Sequence, residues 1–231
     1  MIDIKVLSTG SKGNCYHISD GVTSLLIDCG ISISAIEKSV RLSNVDACLV
    51  THRHKDHCLA VDKVADRGVD VYAPTDVYEL FPDLRKDKKK IVNPLEQFTI
   101  GTWTIMPFDV EHDVPTVGYR MPSTNGAKLL QFTDTYYVKY VFSGVTHALV
   151  ECNHDAQLLQ HNANNAVIHP SLARRIRRSH MSVQTLAEMF KAMDKRVLEE
   201  VHLIHRSSDN GDKEAFERII SGVVGLPVTV Y

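Results

Sequence analysis

The chain has 231 residues, 44% of them hydrophobic and 23% charged, which is ordinary globular usage and excludes a disordered or collagen-like protein. Lys and Arg number 26 against 28 Asp and Glu, so the formal net charge is −2. This balance excludes a histone-like protein with a uniformly basic surface, although it permits a local basic groove for nucleic acid. The unusual count is twelve histidines, because histidine is the commonest metal ligand and a frequent general acid or base.

The length, the targeting signals and the cysteines limit the domain count and the compartment that the protein can have. The length fits one large domain or at most two small ones, and we expect a single domain over residues 1–231. The N-terminus has no signal-peptide pattern, and no apolar run is long enough to span a bilayer, so we expect a cytoplasmic protein with no membrane partner. The five cysteines include no CxxC pair, which favours reduced, buried side chains. Cys58 follows a His-rich motif and is a candidate reactive thiol. A homodimer is left open as its assembly state.

Short apolar strands alternate with helical patterns along the chain. Helices are predicted over 32–42, 57–67, 155–163, 182–193 and 213–221, from apolar residues at helical spacing. Residues 84–90 are expected to form a charged loop. Runs of strands with recurring helices predict a layered α/β or α+β sandwich. Strands are predicted over 2–7, 24–28, 47–51, 69–72, 98–107, 116–121, 127–132, 148–151, 201–204 and 227–231, with a further short strand from Cys15.

The strongest chemical signal is the HxHxDH motif within residues 51–57. At an extended strand end, His52 and His54 point to the same side, because side chains alternate along a strand. Asp56 and His57 then lie at the turn into the next helix and point another way. The two pairs predict two neighbouring metal ions. The competing interpretation, in which Asp56 caps the helix among surface histidines, explains one residue and leaves the three histidines without a role.

Three further donors follow predicted strands: His112, Asp134 and His205. With the motif they make seven nitrogen or oxygen donors, enough for two sites that each keep an open position. The absence of a thiolate among them favours Zn²⁺, with Mn²⁺ or Fe as alternatives.

The chain resembles the metallo-β-lactamase fold family, and within it the YycJ/WalJ-like branch, which is related to RNase Z. This resemblance implies a four-layer αββα sandwich in which the strand ends of both halves converge at one edge. It also implies one metal on His52, His54 and His112 and a second on Asp56, His57 and His205, with Asp134 bridging and His180 as an additional active-site histidine. The matching strings are residues 10–14, 26–30, 51–57, 112–113 followed by 118–119, 132–135, 151–155 and 179–182.

Residues around these strings have two interpretations each. Asn153 and His154 either order a loop or support the metal ligands from behind. Ser182 is a candidate for the same supporting role or for contact with the substrate. Arg177 and Arg178 either form a solvated face or bind substrate phosphates, for which arginine is well suited.

The resemblance implies two-metal hydrolysis, with Asp56 or Asp134 orienting the attacking water and His180 stabilising or protonating the departing oxygen. The leading hypothesis is a phosphodiesterase that acts on nucleic acid, as an exonuclease or a processing nuclease. Three alternatives stay open: a cyclic-nucleotide phosphodiesterase, a hydrolase of thioesters or other acyl groups, and a non-catalytic binding module stabilised by metal.

Overall fold

The computed structural model describes residues 2–231 and divides the chain into two compact units. The first comprises Met1–Asp109 with Val114–Ala127, and the second comprises Val110–Asp113 with Lys128–Tyr231. The chain therefore leaves the first unit briefly at residues 110–113 and returns to it. One domain over residues 1–231 stays a prediction.

The first unit contains a six-stranded sheet whose strands lie in chain order, β1 to β6. The pairs β1–β2 and β2–β3 are antiparallel, and the following pairs are parallel. The strands are β1 (Asp3–Ser8), β2 (Cys15–Ser19), β3 (Ser24–Ile27), β4 (Ala47–Leu49), β5 (Asp70–Ala73) and β6 (Lys89–Ile91). The same unit contains β7 (Phe98–Ile100), β8 (Trp103–Val110) and β9 (Thr116–Pro122), and the helices α1 (Ile33–Ser39), α2 (Lys55–Cys58), α3 (Val61–Asp66) and α4 (Thr75–Glu79).

The helix predicted over 57–67 is two helices, α2 and α3. Ala60 interrupts it with φ −106° and ψ 17°, outside helical geometry. Its amide donates to the carbonyl of Cys29 at 2.9 Å instead of to a helical partner. A hydrogen bond to a distant loop thus overrides the local apolar spacing, and α2 is left as a single turn that carries Asp56 and His57.

Two other predictions in the first unit are wrong in detail. The loop expected over 84–90 ends in strand β6, which pairs with β5; the Lys90 amide donates to the Tyr78 hydroxyl at 3.1 Å. Lys88 also forms an ion pair with Asp70 of β5 at 2.8 Å, so this lysine is held against the sheet and does not belong to a solvated loop. The strand predicted over 98–107 is the hairpin β7–β8, turned at Gly101 with φ 52°, a conformation that favours glycine.

In the second unit, four parallel strands place candidate functional side chains at one edge of the sheet. Their order is β10–β11–β12–β13, and because they are parallel their carboxyl ends share an edge of the sheet. The strands are β10 (Lys128–Phe132), β11 (His147–Glu151), β12 (Glu200–Ile204) and β13 (Thr229–Val230). Asp134, Glu151 and His205 therefore come to one end of this sheet.

The helices of the second unit are α5 (Ala156–Asn164), α6 (Pro170–Ser179), α7 (Val183–Ala192) and α8 (Lys213–Val224). Helix α6 was not predicted, because its arginines hide the apolar spacing. It begins with Pro170 in the first turn, and the His169 ring accepts a hydrogen bond from the Ser171 amide. Ser182 caps α7 by accepting from the Thr185 amide at 3.1 Å. Within residues 2–231, no helix is both long and apolar enough to cross a membrane.

Asp20 is a buried carboxylate that ties the turns of the first unit together. It accepts hydrogen bonds from the hydroxyls of Thr102 and Ser123 and from the amides of Val22 and Thr23. Burial alone would raise the pKa of Asp20, but these hydrogen bonds lower it to about 2.

Replacing Asp20 by Asn is expected to lower the free energy of unfolding by about 1–3 kcal/mol at pH 7. Because the folded-state pKa lies below the unfolded value, the stabilisation is present above about pH 4 and is lost as the pH falls towards 2. Urea unfolding at pH 7 and pH 3 measures both effects. Asp66→Asn, at an exposed carboxylate on α3, is the control and should change stability by less than about 0.5 kcal/mol. Equal losses in the two variants would contradict the role of Asp20.

Candidate metal and active site

In the first unit, the histidines of the HxHxDH motif lie together just beyond β4. The ring centroids of His52 and His54 are 4.7 Å apart, and those of His52 and His57 are 4.2 Å apart. His52 and His57 are fully buried, whereas His54 and Asp56 are partly exposed. The strand end and the single turn of α2 thus bring the three imidazoles together, with the His57 ring beside that of His52.

Asp28, at the end of β3, orients this group. Its Oδ2 lies 2.7 Å from Nδ1 of His57, and its Oδ1 accepts from the amide and hydroxyl of Thr51 at 2.8 and 3.0 Å. Since a carboxylate only accepts, His57 carries its proton on Nδ1 and keeps a lone pair on Nε2. The Thr51 hydroxyl donates to Asp28, so Nδ1 of His52, 3.0 Å from that hydroxyl, is the donor to it. Both rings therefore present Nε2 as the ligand atom.

Asn14 contacts the same nitrogen from the loop before β2. Its side-chain amide lies 2.9 Å from Nε2 of His57, and Oδ2 of Asp56 lies 3.6 Å from that atom. An amide donor beside Nε2 is consistent with a lone pair there. Gly30 lets the loop after β3 pack directly against the backbone of α2, since a Cβ at this position would come within 1.7 Å of the Asp56 carbonyl oxygen.

Asp28→Asn should weaken metal binding by about 10–100-fold, because the hydrogen-bond partner that fixes the tautomer of a histidine ligand is lost. Asn is nearly the same size, so the fold should persist. Titration of the metal-free protein with Zn²⁺ in the presence of a chelating dye measures the affinity. Asp46→Asn is the matched control, at an exposed carboxylate that also accepts a backbone amide. An unchanged affinity in Asp28→Asn would show that Asp28 does not support the ligands.

The second unit contributes His112, Asp134 and His205. Nδ1 of His112 donates to the Ser179 carbonyl at 3.0 Å, which leaves Nε2 as its ligand atom, 3.7 Å from Oδ2 of Asp134. Nδ1 of His205 lies 3.5 Å from Oδ1 of Asp134. All three residues are buried or nearly so, and burial, the largest effect on His112, lowers its pKa, which keeps its ring neutral and able to bind a cation.

Glu151 is the centre of the second group, and sequence reasoning assigned it no role. Its Oε1 accepts from Nδ1 of His180 at 2.7 Å and from Nδ1 of His205 at 3.1 Å. Its Oε2 accepts from the amides of Thr135 and Met181. Burial raises the pKa of this carboxyl, but the two histidines and their hydrogen bonds outweigh it and hold the pKa below its usual value. With four donors on its oxygens, Glu151 orients both histidines.

Three residues of the two groups have left-handed backbone conformations, which are uncommon for non-glycine residues. The φ angles are 57° for Asp28, 49° for Asp134 and 56° for His205. Each follows a strand end. Such strain concentrates where a side chain must be aimed, so it marks these three positions as functional candidates.

The donors fit divalent metal ions. In the second unit, Asp134, Glu151, His180 and His205 each place a candidate ligand atom so that the four lie within 4.8 Å of one another. The atoms are imidazole nitrogens and carboxylate oxygens, the donor types that Zn²⁺, Mn²⁺ and Fe accept.

The predicted supporting residues have defined contacts. The Asn153 side chain donates to the His205 carbonyl at 2.7 Å, directly behind that ligand candidate. The backbone of His154 pairs with that of Ser182 in an isolated parallel β-bridge. Burial lowers the pKa of the His154 ring to about 4. Arg177 and Arg178 are exposed on α6, and Arg177 also contacts Gln160.

Cys58 does not have the environment of a reactive thiol. Its side chain is buried and donates to the Arg53 carbonyl, and burial raises its pKa to about 12. All five cysteines are buried and free.

Comparison with known proteins places these residues in a family context. The model of the β-lactamase superfamily domain matches residues 23–205. The chain is 28% identical to exodeoxyribonuclease YycJ of Bacillus anthracis, covering 96% of this chain and 89% of that protein. It is 27% identical to exodeoxyribonuclease WalJ of Streptococcus pneumoniae, covering 90% and 83%. It is 35% identical to ribonuclease Z of Methanopyrus kandleri, over 52% of this chain and 46% of that protein.

The same fold occurs in solved structures. The metallo-β-lactamase fold protein YhfI of Bacillus subtilis superposes with a TM-score of 0.78 at 18% identity, covering all of this chain and 96% of that one. The short form of human tRNase Z gives a TM-score of 0.65 at 15% identity, covering 90% and 93%. The predicted mixed α/β sandwich of the metallo-β-lactamase fold is therefore confirmed.

Proposed function

Because this chain belongs to the β-lactamase superfamily, we propose that it is a dinuclear metal-dependent phosphodiesterase that cleaves nucleic acid as an exonuclease or processing nuclease. It is a metal-dependent hydrolase, as its nuclease relatives indicate. The observation that carries the nuclease proposal is the similarity to two exodeoxyribonucleases over more than four fifths of their length.

The proposed ligands come from both groups of donors described above. The histidines with protons held on Nδ1 offer Nε2, and the carboxylates offer oxygen. Zn²⁺ is the first choice because the set contains no thiolate and several imidazoles, with Mn²⁺ and Fe as alternatives. One ion is assigned to His52, His54 and His112, the other to Asp56, His57 and His205, with Asp134 bridging.

When bound, such ions supply polarisation of the phosphoryl oxygens and favour ionisation of water. The protein's own residues then handle protons and position. Asp56 or Asp134 would orient the attacking water by accepting a hydrogen bond from it through a carboxylate oxygen. His180, held through Nδ1 by Glu151, presents Nε2, the atom that would give a proton to the departing oxygen.

The test is hydrolysis by metal-loaded protein of end-labelled single- and double-stranded DNA, RNA, cyclic nucleotides and a thioester. We expect cleavage of nucleic acid whose apparent affinity falls steeply with salt, since each phosphate contact adds about −0.7 to −0.9 to the slope of log K against log salt. His205→Ala is the control for contaminating nuclease. Cleavage confined to cyclic nucleotides or the thioester would contradict the proposal, and metal binding with no hydrolysis would indicate a binding module.

Cytoplasmic location and a homodimeric state stay predictions. Light scattering of the purified protein across a concentration series tests the second, because a homodimer would have about twice the mass of the 25.9 kDa chain and a monomer would not.

A further inference from the structure

The second unit has a cleft of about 200 Å³ that none of the functional assignments above uses. One side is the segment of residues 137–142, and the other is Met181 with the exposed side of α7. The lining that matters here is aromatic and sulfur-containing: Tyr137, Tyr140, Phe142, Met181, Met189 and Met193.

Both sides of the cleft are connected to Glu151. Met181 follows His180 directly, and its amide donates to Glu151 Oε2 at 3.3 Å. On the other side, the Tyr137 amide donates to the Thr135 hydroxyl at 3.2 Å, and the Thr135 amide donates to Glu151 Oε2 at 2.9 Å. The backbone on both sides of the cleft is therefore hydrogen-bonded, directly at Met181 and through Thr135 at Tyr137, to the carboxylate that holds His180.

The lining leaves apolar surface in water. Tyr137 is 51% exposed and Val141 is 75% exposed, although the same segment buries Val138 and Phe142. The Lys139 ammonium lies 5.3 Å from the centroid of the Tyr140 ring. Because Lys139 lies over the Tyr140 ring, the exposed ring of Tyr137, two residues before Lys139, is the one that suits a base, while the phosphate meets the positive charge of Lys139. The one carboxylate in the lining, Glu188, is paired with Lys191 at 2.7 Å, which reduces its repulsion of a phosphate.

We propose that this cleft binds one nucleobase of the substrate, next to the phosphodiester that is cleaved, by stacking on Tyr137. The inference rests on the proposed nuclease function and specifies how its substrate is held. Pockets for drug-sized ligands usually span about 300–1,000 Å³, so a cleft of about 200 Å³ matches a one- or two-ring group better than a longer ligand. DNA and RNA both carry bases, so testing substrates of both kinds shows which of the two the cleft accepts.

The experiment compares Tyr137→Ala with Tyr136→Ala on single-stranded DNA and RNA oligonucleotides. Tyr136 is the matched control, because it is also an exposed tyrosine and does not line the cleft. A second series of oligonucleotides carries one abasic nucleotide at successive positions from the cleaved bond. Tyr137→Phe, which keeps the ring, should behave like wild type.

We expect Tyr137→Ala to raise KM by about 5- to 150-fold, with kcat changed much less, as stacking on one aromatic side chain predicts. One abasic position should raise the wild-type KM by a similar factor, and at that position Tyr137→Ala should add little further loss. Quenching of a 2-aminopurine base at that position, measured with metal-free protein, should be present in wild type and lost in Tyr137→Ala.

Other outcomes would overturn the inference in distinguishable ways. If wild type cuts oligonucleotides but neither Tyr137→Ala nor any abasic position changes KM, the base site is wrong and the nuclease proposal stands. If no nucleic acid is cut under any metal loading, the nuclease proposal fails, and the inference fails with it. If Tyr137→Ala instead converts a dimer to a monomer in light scattering, the cleft is a contact between two copies of the chain.

Discussion

His180→Ala should hydrolyse nucleic acid at least about 10²-fold more slowly than wild type, and up to about 10⁴-fold, while retaining its metal. The ring is only partly buried, with 19% of the side chain exposed, so its removal should not unfold the protein. Its Nδ1 contacts Glu151 at 2.7 Å, which aims the ring rather than packing it. Rates at saturating substrate, together with metal content by atomic emission, measure the two halves of this expectation.

The pH profile separates a chemical role of His180 from a structural one. If His180 gives a proton, its loss should remove the limb on the basic side of the kcat profile, because that limb reports the required protonated group. His169→Ala is the matched control, at an exposed histidine at the start of α6. A rate within a few-fold of wild type would make His180 a bystander. A loss of metal in His180→Ala would make it a ligand, and the assignment of the seven donors would need revision.

His205→Ala and His52→Ala should each lower the metal content from about two ions per chain and bring hydrolysis close to background. Each variant removes a buried imidazole whose proton is held on Nδ1, so the ligand atom Nε2 is lost without replacement. The two variants address the two proposed ions separately, since His52 is assigned to one and His205 to the other. Metal analysis after dialysis against a weak chelator gives the readout.

His202→Ala is the control for the His205 variant. It lies on the same strand β12, is buried, and pairs with Glu200 at 3.0 Å away from the donors. It should keep its metal even if its stability falls. A full metal complement in both His205→Ala and His52→Ala would refute the ligand assignment.

The local patterns determined the positions of the donors. The HxHxDH motif needs only a strand end followed by one helical turn, and both form from adjacent residues. Likewise, Asp134 and His205 follow apolar strands that are recognisable by themselves. For this reason the sequence predicted the α/β class and the seven proposed donors, although Glu151 and His180 also offer ligand atoms to a metal. The family resemblance added which donors share an ion and singled out His180, neither of which spacing alone could specify.

Tertiary structure decided what aims those donors. Asp28 contacts His57 across 29 positions, and Glu151 contacts His180 and His205 across 29 and 54. No periodicity within a window of sequence encodes such pairs. The break in the predicted helix 57–67 has the same origin, because the Ala60 amide bonds to the loop after β3. The sequence by itself therefore singled out the groups proposed to perform the chemistry, because they lie at strand ends recognisable from adjacent residues, and long-range hydrogen bonds between buried residues decided how those groups are held.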